Sequence, residues 1–526
     1  MLLKINQIKC PIDKTLSKED IAKKLHAPLQ DILSCDIEKE SLDARGDTLI
    51  NSYTVLAEVR NPEKYLKRKD VQQGKKERYV SPAYIPTDNR PVIAGFGPSG
   101  MFAALLLCEC GCKPVVLERG KCVEKREKDI ENFFKHGILL EESNIQYGEG
   151  GAGTFSDGKL TTRMKDIRVK KVLEEFIEAG GDPAIYYQHR PHIGTDILRI
   201  LVENIRKKII SMGGEIHFET RLESIEIHNG KVQGVITNTG KIACDHVILC
   251  CGHSASDTYA TLFNQGITMI QKDFAAGVRV EHPQTLINQN QYGRYAEHPS
   301  LSAASYSLTH RSSNGRGVYS FCMCPGGVVI PSSTQQKSLA VNGMSYSKRD
   351  GKNANSAILV QIPVKDFDQG HPLDGFKFQK QLEQKAYRDL FEAPAENIQD
   401  YVDHKAPSAL RIPSSYPRNT QLTDMHTLFS NDVNIALEDG FKNFDHKIPG
   451  FLSKGIMTGM ESRSSSPIRI TREEDGQSIS CKGIYPCGEG AGYAGGIVSS
   501  AVDGIRQAEN VLAHIRETEN VNFLKN

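Results

Sequence analysis

Residues 90–120 read RPVIAGFGPSGMFAALLLCECGCKPVVLERG, and this stretch decides the fold. The apolar run at 92–94 predicts a short buried strand of a parallel sheet. It leads into a G-x-G-x-x-G sequence at 95–100, an apolar helix over about 99–110 and a glycine that ends the helix. A second apolar strand at 114–117 stops at Glu118. A strand, glycine turn, helix, strand and acidic residue in this order predict a dinucleotide-binding βαβ unit.

The residues of this unit have separate predicted roles. Gly95 allows the tight turn, Gly97 lets the backbone approach a pyrophosphate, and Gly100 lets the helix lie close to the strand. The helix N-terminus offers free N–H groups and a partial positive charge to the phosphates. The Glu118 carboxylate can accept hydrogen bonds from a ribose diol. The alternative, a tight turn without a ligand, would not require three closely spaced glycines, which lose backbone entropy on folding.

Two further glycine-rich stretches, at 148–153 and 490–495, match the same spacing. Neither is followed by a strand and an acidic residue, so neither predicts a second dinucleotide site. The first continues to Arg163 with small and hydroxyl-bearing residues, which favour a loop against a large planar ligand; an ordinary surface loop is the alternative. The second follows a predicted strand at 483–487 and precedes a predicted helix over 497–514. That helix N-terminus is expected to point at the remainder of the ligand held by residues 95–100.

Composition sets limits on the class of protein. The chain has 526 residues, 39% hydrophobic and 25% charged, with a net charge of +1, which is ordinary for a globular protein and predicts neither nucleic-acid nor membrane binding. The N-terminus lacks the apolar region of a signal peptide, and no run of 18 apolar residues exists, so a cytoplasmic protein is expected. The 13 cysteines include no C-x-x-C pair, so reduced thiols and no metal site are expected.

We predict an α/β protein in which a Rossmann-type FAD-binding domain is split in sequence. Residues 1–85 are predicted to form a small ferredoxin-like α+β module that ends in a basic linker, Lys64 to Arg78. Residues 90–270 form the first part of the FAD-binding domain, and 451–526 form its C-terminal part. Between them, 271–450 are expected to form an inserted, mostly antiparallel β substrate domain, because short apolar runs alternate there with Ser, Asn and Gly.

Several polar side chains are candidates for assisting catalysis, although no catalytic residue is assigned. Cys322 and Cys324 form a C-x-C pair that would be redox-active beside a flavin, or would simply be two small residues buried on an extended strand. Arg463, in the hydroxyl-rich stretch 460–470, would anchor an anionic substrate by bidentate bonding or cap the sheet. His253 directly follows the strand predicted over residues 245–252.

The order of these motifs resembles that of glutathione-reductase-type FAD-binding flavoproteins. Four stretches are similar, more specifically, to bacterial, largely uncharacterised FAD-dependent dehydrogenases: GEGGAGTFSDGKL at 148, YSFCMCPGG at 319, ESRSSSPIRI at 461 and YPCGEGAGYAGGIVSSAVDG at 485. This resemblance implies that FAD binds in an extended form, with its adenosine ribose at Glu118 and its adenine beside the backbone near Leu222. It also places Glu489 near the ribityl chain or the pyrophosphate, where the wider superfamily usually has Asp.

The motifs and the resemblance together give a set of predicted cofactor-binding residues. They are Gly95, Gly97, Pro98, Ser99, Gly100, Glu118, Arg119, Gly150, Gly151, Gly153, Thr154, Lys159, Leu222, Cys251, Gly252, Gly488, Glu489, Gly495, Gly496 and Ile497.

The function expected from the sequence is that of an FAD-dependent oxidoreductase, a dehydrogenase or reductase. It would transfer hydride between bound flavin and an unidentified small organic substrate, with NAD(P)H as a candidate transient donor. One alternative is a tRNA-modifying flavoprotein that uses the basic stretch Lys64 to Arg78. The other is a non-catalytic FAD-binding protein that senses redox state or acts as a scaffold.

Overall fold

The computed structural model describes residues 1–44, 48–85 and 87–525, with side chains described as far as residue 518. The strands are β1 (Leu2–Pro11), β2 (Ile32–Asp43), β3 (Ile50–Val59), β4 (Val71–Gln73), β5 (Val92–Ala94), β6 (Val115–Leu117), β7 (Glu215–His217), β8 (Leu222–His228), β9 (Lys231–Thr237), β10 (Gly240–Ala243), β11 (Val247–Leu249), β12 (Met269–Gln271), β13 (Phe274–Pro283), β14 (Thr309–Arg311), β15 (Gly317–Cys324), β16 (Val328–Pro331), β17 (Val341–Met344), β18 (Asn353–Ile362), β19 (Ala393–Asn397), β20 (Thr420–Leu422), β21 (Ile456–Glu461), β22 (Ile468–Ile470) and β23 (Ile484–Pro486). The helices are α1 (Lys18–Leu25), α2 (Pro98–Glu109), α3 (Val123–His136), α4 (Arg168–Glu178), α5 (Thr195–Ser211), α6 (Ser256–Asn264), α7 (Gln284–Tyr292), α8 (Asp374–Ala386), α9 (Ile398–Val402), α10 (Asn431–Lys447) and α11 (Ile497–Lys525).

A parallel sheet with the strand order β23-β11-β5-β6-β7 forms the centre of the nucleotide-binding part. Every neighbouring pair in it is parallel. The three central strands are apolar and buried along their whole length, as expected for strands covered on both faces. The strand β23 pairs with β11, so the predicted strand near the C-terminus joins the sheet that begins at Val92.

The helices α2 and α11 pack closely against each other on one face of this sheet. A Cβ added to Gly504 would meet the Ser99 carbonyl oxygen at 2.0 Å, which shows how near the two backbones approach. On α11, Val498, Val502 and Ile505 are buried in the same apolar cluster as the apolar residues of α2. The C-terminal helix is therefore part of the core of the nucleotide-binding part.

A second, larger sheet has the order β14-β15-β18-β13-β21-β19-β20 and is antiparallel except between β19 and β20. The inserted sheet is therefore mostly antiparallel, as the sequence predicts. Its strand β21, Ile456–Glu461, pairs with β13 and β19 and lies beyond the predicted end of the insert at residue 450. β21 is a mostly apolar strand buried on both faces, and nothing local in the sequence shows which sheet it joins.

The N-terminal module is an antiparallel sheet of order β2-β3-β1-β4 with α1 packed against it. It differs from the β-α-β-β-α-β pattern of ferredoxin-like modules, because a 3-10 turn, Pro62–Lys64, stands where the second helix would be. The predicted basic linker is also corrected in part, since β4, Val71–Gln73, lies within it and pairs with β1.

The segment at 79–85 belongs to the nucleotide-binding part, although the prediction placed it in the N-terminal module. The Tyr79 hydroxyl donates to Glu509 on α11 at 2.7 Å. The Ile85 N–H donates to the Cys110 carbonyl at 2.8 Å, and the Ile85 side chain joins the core that contains α2. These contacts favour a module boundary after β4.

Candidate functional site

A cavity of about 620 Å³ lies where the parallel sheet meets the inserted sheet. Residues that follow β5, β6, β11 and β23 line one wall, so the cavity opens at the carboxyl ends of these parallel strands. Residues of β15, β17 and β21 line the opposite wall. Ligands of open α/β sheets bind outside the carboxyl ends of the strands, and pockets of about 300–1,000 Å³ are typical of ligand sites.

Glycines leave open space along the wall formed by the parallel sheet. An added Cβ would meet no heavy atom within 4 Å at Gly252 or Gly495, and at Gly97 it would meet only the Gly151 Cα, at 3.8 Å. All of these glycines line the cavity. The space that a side chain would fill at each of these glycines is therefore part of the cavity. A phosphate that approaches the backbone closely requires such space.

Two helix N-termini end at the same cavity. Pro98 and Ser99 open α2, and Ile497 and Val498 open α11, and all four line the cavity wall. The first turns of helices carry N–H groups without intrahelical partners and a partial positive charge. The two helices together therefore give this side of the cavity the character of an anion-binding site.

The Glu118 carboxylate lines the cavity but is occupied by backbone donors. Its Oε2 accepts from the Phe96 N–H at 2.9 Å, and its Oε1 accepts from the N–H groups of Gly120 and Gly148 at 2.8 and 2.9 Å. The acid therefore joins the glycine turn to the loop at 148–163. A carboxylate has about four acceptor positions, so little capacity is left for a ribose hydroxyl.

Arg119 forms part of the wall and is held by protein groups. Its guanidinium donates to Glu142 at 2.7 and 3.0 Å and to Asp257 at 3.0 Å, and it lies 4.1 Å from the centre of the Tyr147 ring. These two carboxylates raise the pKa of Arg119. The charge of Arg119 is therefore largely neutralised by the protein, and its role in this wall is to fix Tyr147 and the neighbouring loops.

Most of the predicted cofactor-binding residues lie in the cavity wall. They are Gly95, Gly97, Pro98, Ser99, Glu118, Arg119, Gly151, Gly153, Lys159, Leu222, Cys251, Gly252, Glu489, Gly495, Gly496 and Ile497.

Gly100 and Gly488 are not among the residues that line the cavity; Gly100 has the packing role that the sequence predicts, and Gly488 has a similar one. A Cβ on Gly100 would lie 1.9 Å from the Gly95 carbonyl oxygen, so this glycine lets α2 start against the end of β5. A Cβ on Gly488, which has φ +75°, would lie 2.7 Å from the Ser99 Oγ. Both glycines therefore bring secondary-structure elements together behind the wall.

Gly150 and Thr154 also lie behind the wall and act on the shape of the loop. The Thr154 hydroxyl donates to the Glu149 carbonyl at 3.3 Å, and the Thr154 carbonyl accepts from the Thr195 hydroxyl at 2.8 Å. Gly150 has φ +78°, and a Cβ there would overlap the Thr154 Oγ1. The two residues fold this loop into the 3-10 turn Gly151–Phe155, which places Gly151 and Gly153 at the cavity.

Two of the candidate assisting residues, His253 and Arg463, line the cavity and are partly committed to other groups. The His253 Nδ1 lies 3.4 Å from Oε1 of Glu489. Arg463 donates to both carboxylate oxygens of the buried Glu383 at 2.7 Å and to the Thr334 hydroxyl at 2.7 Å. Its fork is therefore already paired, which argues against Arg463 as the bidentate anchor of an anionic substrate.

The C-x-C pair does not lie on a regular strand. The pairing of β15 with β18 shifts register between Phe321 and Cys324, and Cys322 has φ +43°. Cys322 lines the cavity, whereas Cys324 is fully buried and its thiol donates to the Cys322 carbonyl at 3.2 Å. On a regular extended strand both side chains would share one face, whereas the bulge directs Cys322 to the cavity and Cys324 into the core.

The bulge is fixed by Arg279, which is completely buried on β13. Its guanidinium donates to the Cys322 carbonyl at 2.6 Å and to the Cys324 Sγ at 3.2 Å, and it lies 3.4 Å from a carboxylate oxygen of Glu461. A side-chain hydrogen bond with Cys324 and the charge of Arg279 lower the pKa of the Cys322 thiol, which lines the cavity.

Sequence reasoning missed several residues of the wall on the side of the insert. Phe321, Asn342, Glu461 and Ser464 line the cavity from β15, β17, β21 and the segment after β21. Glu461 could have been found from the sequence, because it is a carboxylate at the end of the mostly apolar strand IMTGME. Acidic residues are rarely buried unless they are paired, so an acid in such a strand indicates a special role. No comparable signal marked Asn342.

Replacing Glu461 with Gln is expected to change how stability depends on pH. Burial raises the pKa of Glu461 to about 7, so the folded protein retains a proton there that the unfolded chain releases near pH 4.5. Wild-type stability should therefore fall, relative to the Gln variant, as the pH rises from about 4.5 to 7, by on the order of 3 kcal/mol. Thermal melts of both proteins at pH 4.5, 6 and 8 measure this difference, with the exposed Glu131→Gln as the matched control. Parallel profiles for wild type and Glu461→Gln would contradict the assignment.

Comparison with protein families identifies the class of protein that this fold and site define. Residues 273–464 match the model for an FAD-dependent protein, C-terminal domain-like, and residues 198–337 match FAD dependent oxidoreductase. Residues 2–58 match a domain of unknown function. The chain is an FAD-dependent enzyme of the oxidoreductase class, and FAD is its cofactor.

A relative from Clostridium beijerinckii, described as an uncharacterized protein, is 43% identical over 97% of this chain and 99% of its own length. The chain belongs to the same family as that protein. Among solved structures, a geranylgeranyl bacteriochlorophyll reductase-like protein from Thermoplasma acidophilum matches 82% of this chain and 79% of its own at 12% identity, with a TM-score of 0.37. Glycine oxidase from Bacillus cereus matches 81% of this chain and 96% of its own at 12% identity, with a TM-score of 0.31.

Proposed function

We propose that FAD binds in the cavity between the two sheets. The open space at Gly97, Gly252 and Gly495 and the two helix N-termini support the placement of its phosphates there. Glu118 and Leu222 would lie at the adenosine end, and Glu489 nearer the flavin end. This arrangement follows the extended FAD of glutathione-reductase-type flavoproteins. Because backbone donors occupy most of the Glu118 carboxylate, we assign Glu118 first to shaping the turn and only second to the ribose.

We propose that an organic substrate binds at the end of the cavity formed by the insert. Phe321 and Asn342 would position it there, and the inserted sheet would exclude water from the site. When bound, FAD supplies two-electron redox chemistry. Glu461, with a pKa raised to about 7, can hold or release a proton near neutral pH at this same wall. Cys322 and His253 offer further polar atoms to the substrate or cofactor.

A nicotinamide donor, if one is used, would have to enter the same cavity. The described part of the chain contains one parallel sheet of more than two strands, and the turn after its β5 is the one assigned to FAD. A second Rossmann unit for NAD(P)H is therefore not among the described residues. We propose that NAD(P)H, like the organic substrate, approaches from the side of the insert.

The observation that carries this proposal is that both sheets contribute residues to the wall of one cavity. One side is built from glycine turns and helix N-termini, which suit phosphates, and the other side from an inserted sheet with a thiol and a carboxylate. The tRNA-modifying alternative has less support. Within the basic stretch, Arg68 pairs with Asp70 and Lys76 pairs with Asp36, so part of its charge is balanced inside the module.

Anaerobic titration of the purified protein tests the proposal. We expect a yellow protein whose heat-released cofactor elutes as FAD and not FMN, because the cavity reaches Glu118 and Leu222 beyond the phosphate side. NADH and NADPH are added separately without oxygen, and loss of the absorbance band near the visible flavin maximum reports reduction. A flavin that dithionite reduces but that neither nucleotide reduces would exclude the nicotinamide donor. A colourless protein that does not take up FAD would contradict the assignment of the cavity.

A further inference from the structure

A cluster of two histidines and a glutamate lies in the inserted domain, apart from the residues that line the cavity. His404 follows α9, His426 lies in the 3-10 turn Met425–Leu428, and Glu438 is on α10. The ligand atoms of the three side chains all lie within 4.8 Å of one another. Three chain segments that are distant in sequence therefore present two imidazoles and one carboxylate to a single point.

The distances suit a tetrahedral metal ion. The His404 Nε2 lies 3.3 Å from Oε2 of Glu438, and the His426 Nε2 lies 3.4 Å from Oε1 of the same carboxylate. A tetrahedral zinc ion with ligand bonds of about 2.0–2.2 Å holds its ligand atoms about 3.3–3.5 Å apart. Two imidazoles and one carboxylate with a fourth position open to solvent form a known zinc ligand set.

The second nitrogen of His426 fixes which ring nitrogen faces the site. The His426 Nδ1 lies 3.1 Å from Oδ1 of Asp424, so Nδ1 carries the proton that this carboxylate accepts. The Nε2 then faces the Glu438 carboxylate. A carboxylate on the outer imidazole nitrogen is also the usual outer-shell partner of metal-binding histidines.

Packing holds the His426 ring in place before any metal arrives. The Tyr401 ring stacks on it at 3.9 Å, with an angle of 14° between the ring planes, and the His404 ring also stacks against it at 4.8 Å. The Asn434 side chain accepts from the Tyr401 hydroxyl at 2.8 Å and donates to the His426 carbonyl at 2.9 Å. The rotamer of His426 is therefore restrained by ring stacking and through its backbone.

We propose that His404, His426 and Glu438 bind a divalent transition-metal ion of the zinc type, with Asp424 as the residue that orients His426. Imidazole nitrogen with carboxylate oxygen suits zinc, whereas calcium and magnesium prefer oxygen ligands alone. The ion would join the loop after α9 to α10 and so stabilise the inserted domain. The sequence predicted no metal site, because the ligands come from separate segments without a recognisable spacing.

Calorimetric titration of zinc chloride into the full-length, FAD-loaded protein at pH 8 tests the proposal. The protein is first treated with a chelator and transferred to metal-free buffer. We expect saturable binding of one zinc ion and a rise in melting temperature with zinc. His404→Ala, which changes a largely exposed side chain, and Glu438→Gln should each lose this binding while retaining FAD. Asp424→Asn should weaken it about 10–100-fold, the range for outer-shell partners.

The matched control is His217→Ala, because His217 faces the single carboxylate of Glu215 at 3.2 Å and belongs to no three-residue cluster among the described residues. It should bind zinc as the wild type does. Equal binding by wild type, His404→Ala and Glu438→Gln would place the metal elsewhere, for example on thiols, and overturn the proposal. Absence of saturable binding at pH 8 would also overturn it. Neither result depends on enzyme activity, so the proposed redox function is tested separately.

Discussion

Replacing Gly97 with Val is expected to give a folded protein that has lost its FAD. Gly97 has φ −76° and ψ −174°, which any residue adopts, so the change causes no backbone strain. The new Cβ would meet only the Gly151 Cα, at 3.8 Å, and would fill the space proposed for the phosphates. Losing two hydrogen bonds to a charged phosphate, at about 1.5–3 kcal/mol each, corresponds to about 100-fold weaker binding or more.

The measurement is the ratio of FAD to protein after gel filtration, together with the circular dichroism spectrum and melting temperature of the FAD-free form. Gly317→Val is the matched control, because a Cβ there meets only the Gln361 Oε1, at 3.8 Å, and Gly317 does not line the cavity. The control should keep its FAD. A Gly97→Val protein with normal FAD content would show that the phosphates lie elsewhere.

Ending the chain at residue 480 is expected to abolish both FAD binding and solubility. The truncation removes β23 from the edge of the parallel sheet and α11 from the face of α2. The apolar surface of α2, with Leu105 and Leu106 buried in the intact protein, would be exposed to water. The cavity would also lose Glu489, Gly495, Gly496 and Ile497.

Deleting residues 1–75 is the matched comparison, because it removes the N-terminal sheet and α1 and ends after β4. The module has its own apolar core, and its residues do not line the cavity. The cut leaves Tyr79 and Ile85 in place against α11 and the end of α2. We expect a soluble, yellow protein. A soluble, FAD-containing fragment 1–480, together with loss of FAD after deletion of 1–75, would contradict the split FAD-binding domain.

The choice of residue 75 for this deletion illustrates how far domain boundaries can be predicted from the sequence. The start of the nucleotide-binding unit was predictable at Val92, because the strand, turn and helix are contiguous and each has a local pattern. The segment at 79–85 has no such pattern, and only its contacts with Glu509 and Cys110 assign it. The sheet to which β21 belongs could not be predicted for the same reason, because its apolar sequence suits a buried strand of either sheet.

The sequence by itself determined the parts of this protein that local chemistry specifies. The glycine turn, the apolar strands around it, the Asn229-Gly230 hairpin between β8 and β9 and the class of cofactor all follow from neighbouring residues. The addition of the C-terminal strand to this sheet also followed, because that strand repeats the same apolar pattern before a glycine turn.

Only the tertiary structure decided which distant side chains meet. Glu461 and Cys322 come from different strands and line one cavity, where the buried Arg279 contacts both residues. His404 and His426 converge on Glu438 because α9, a 3-10 turn and α10 pack together. Such meetings depend on the packing of segments that are distant along the chain, and no periodicity or spacing in the sequence records them.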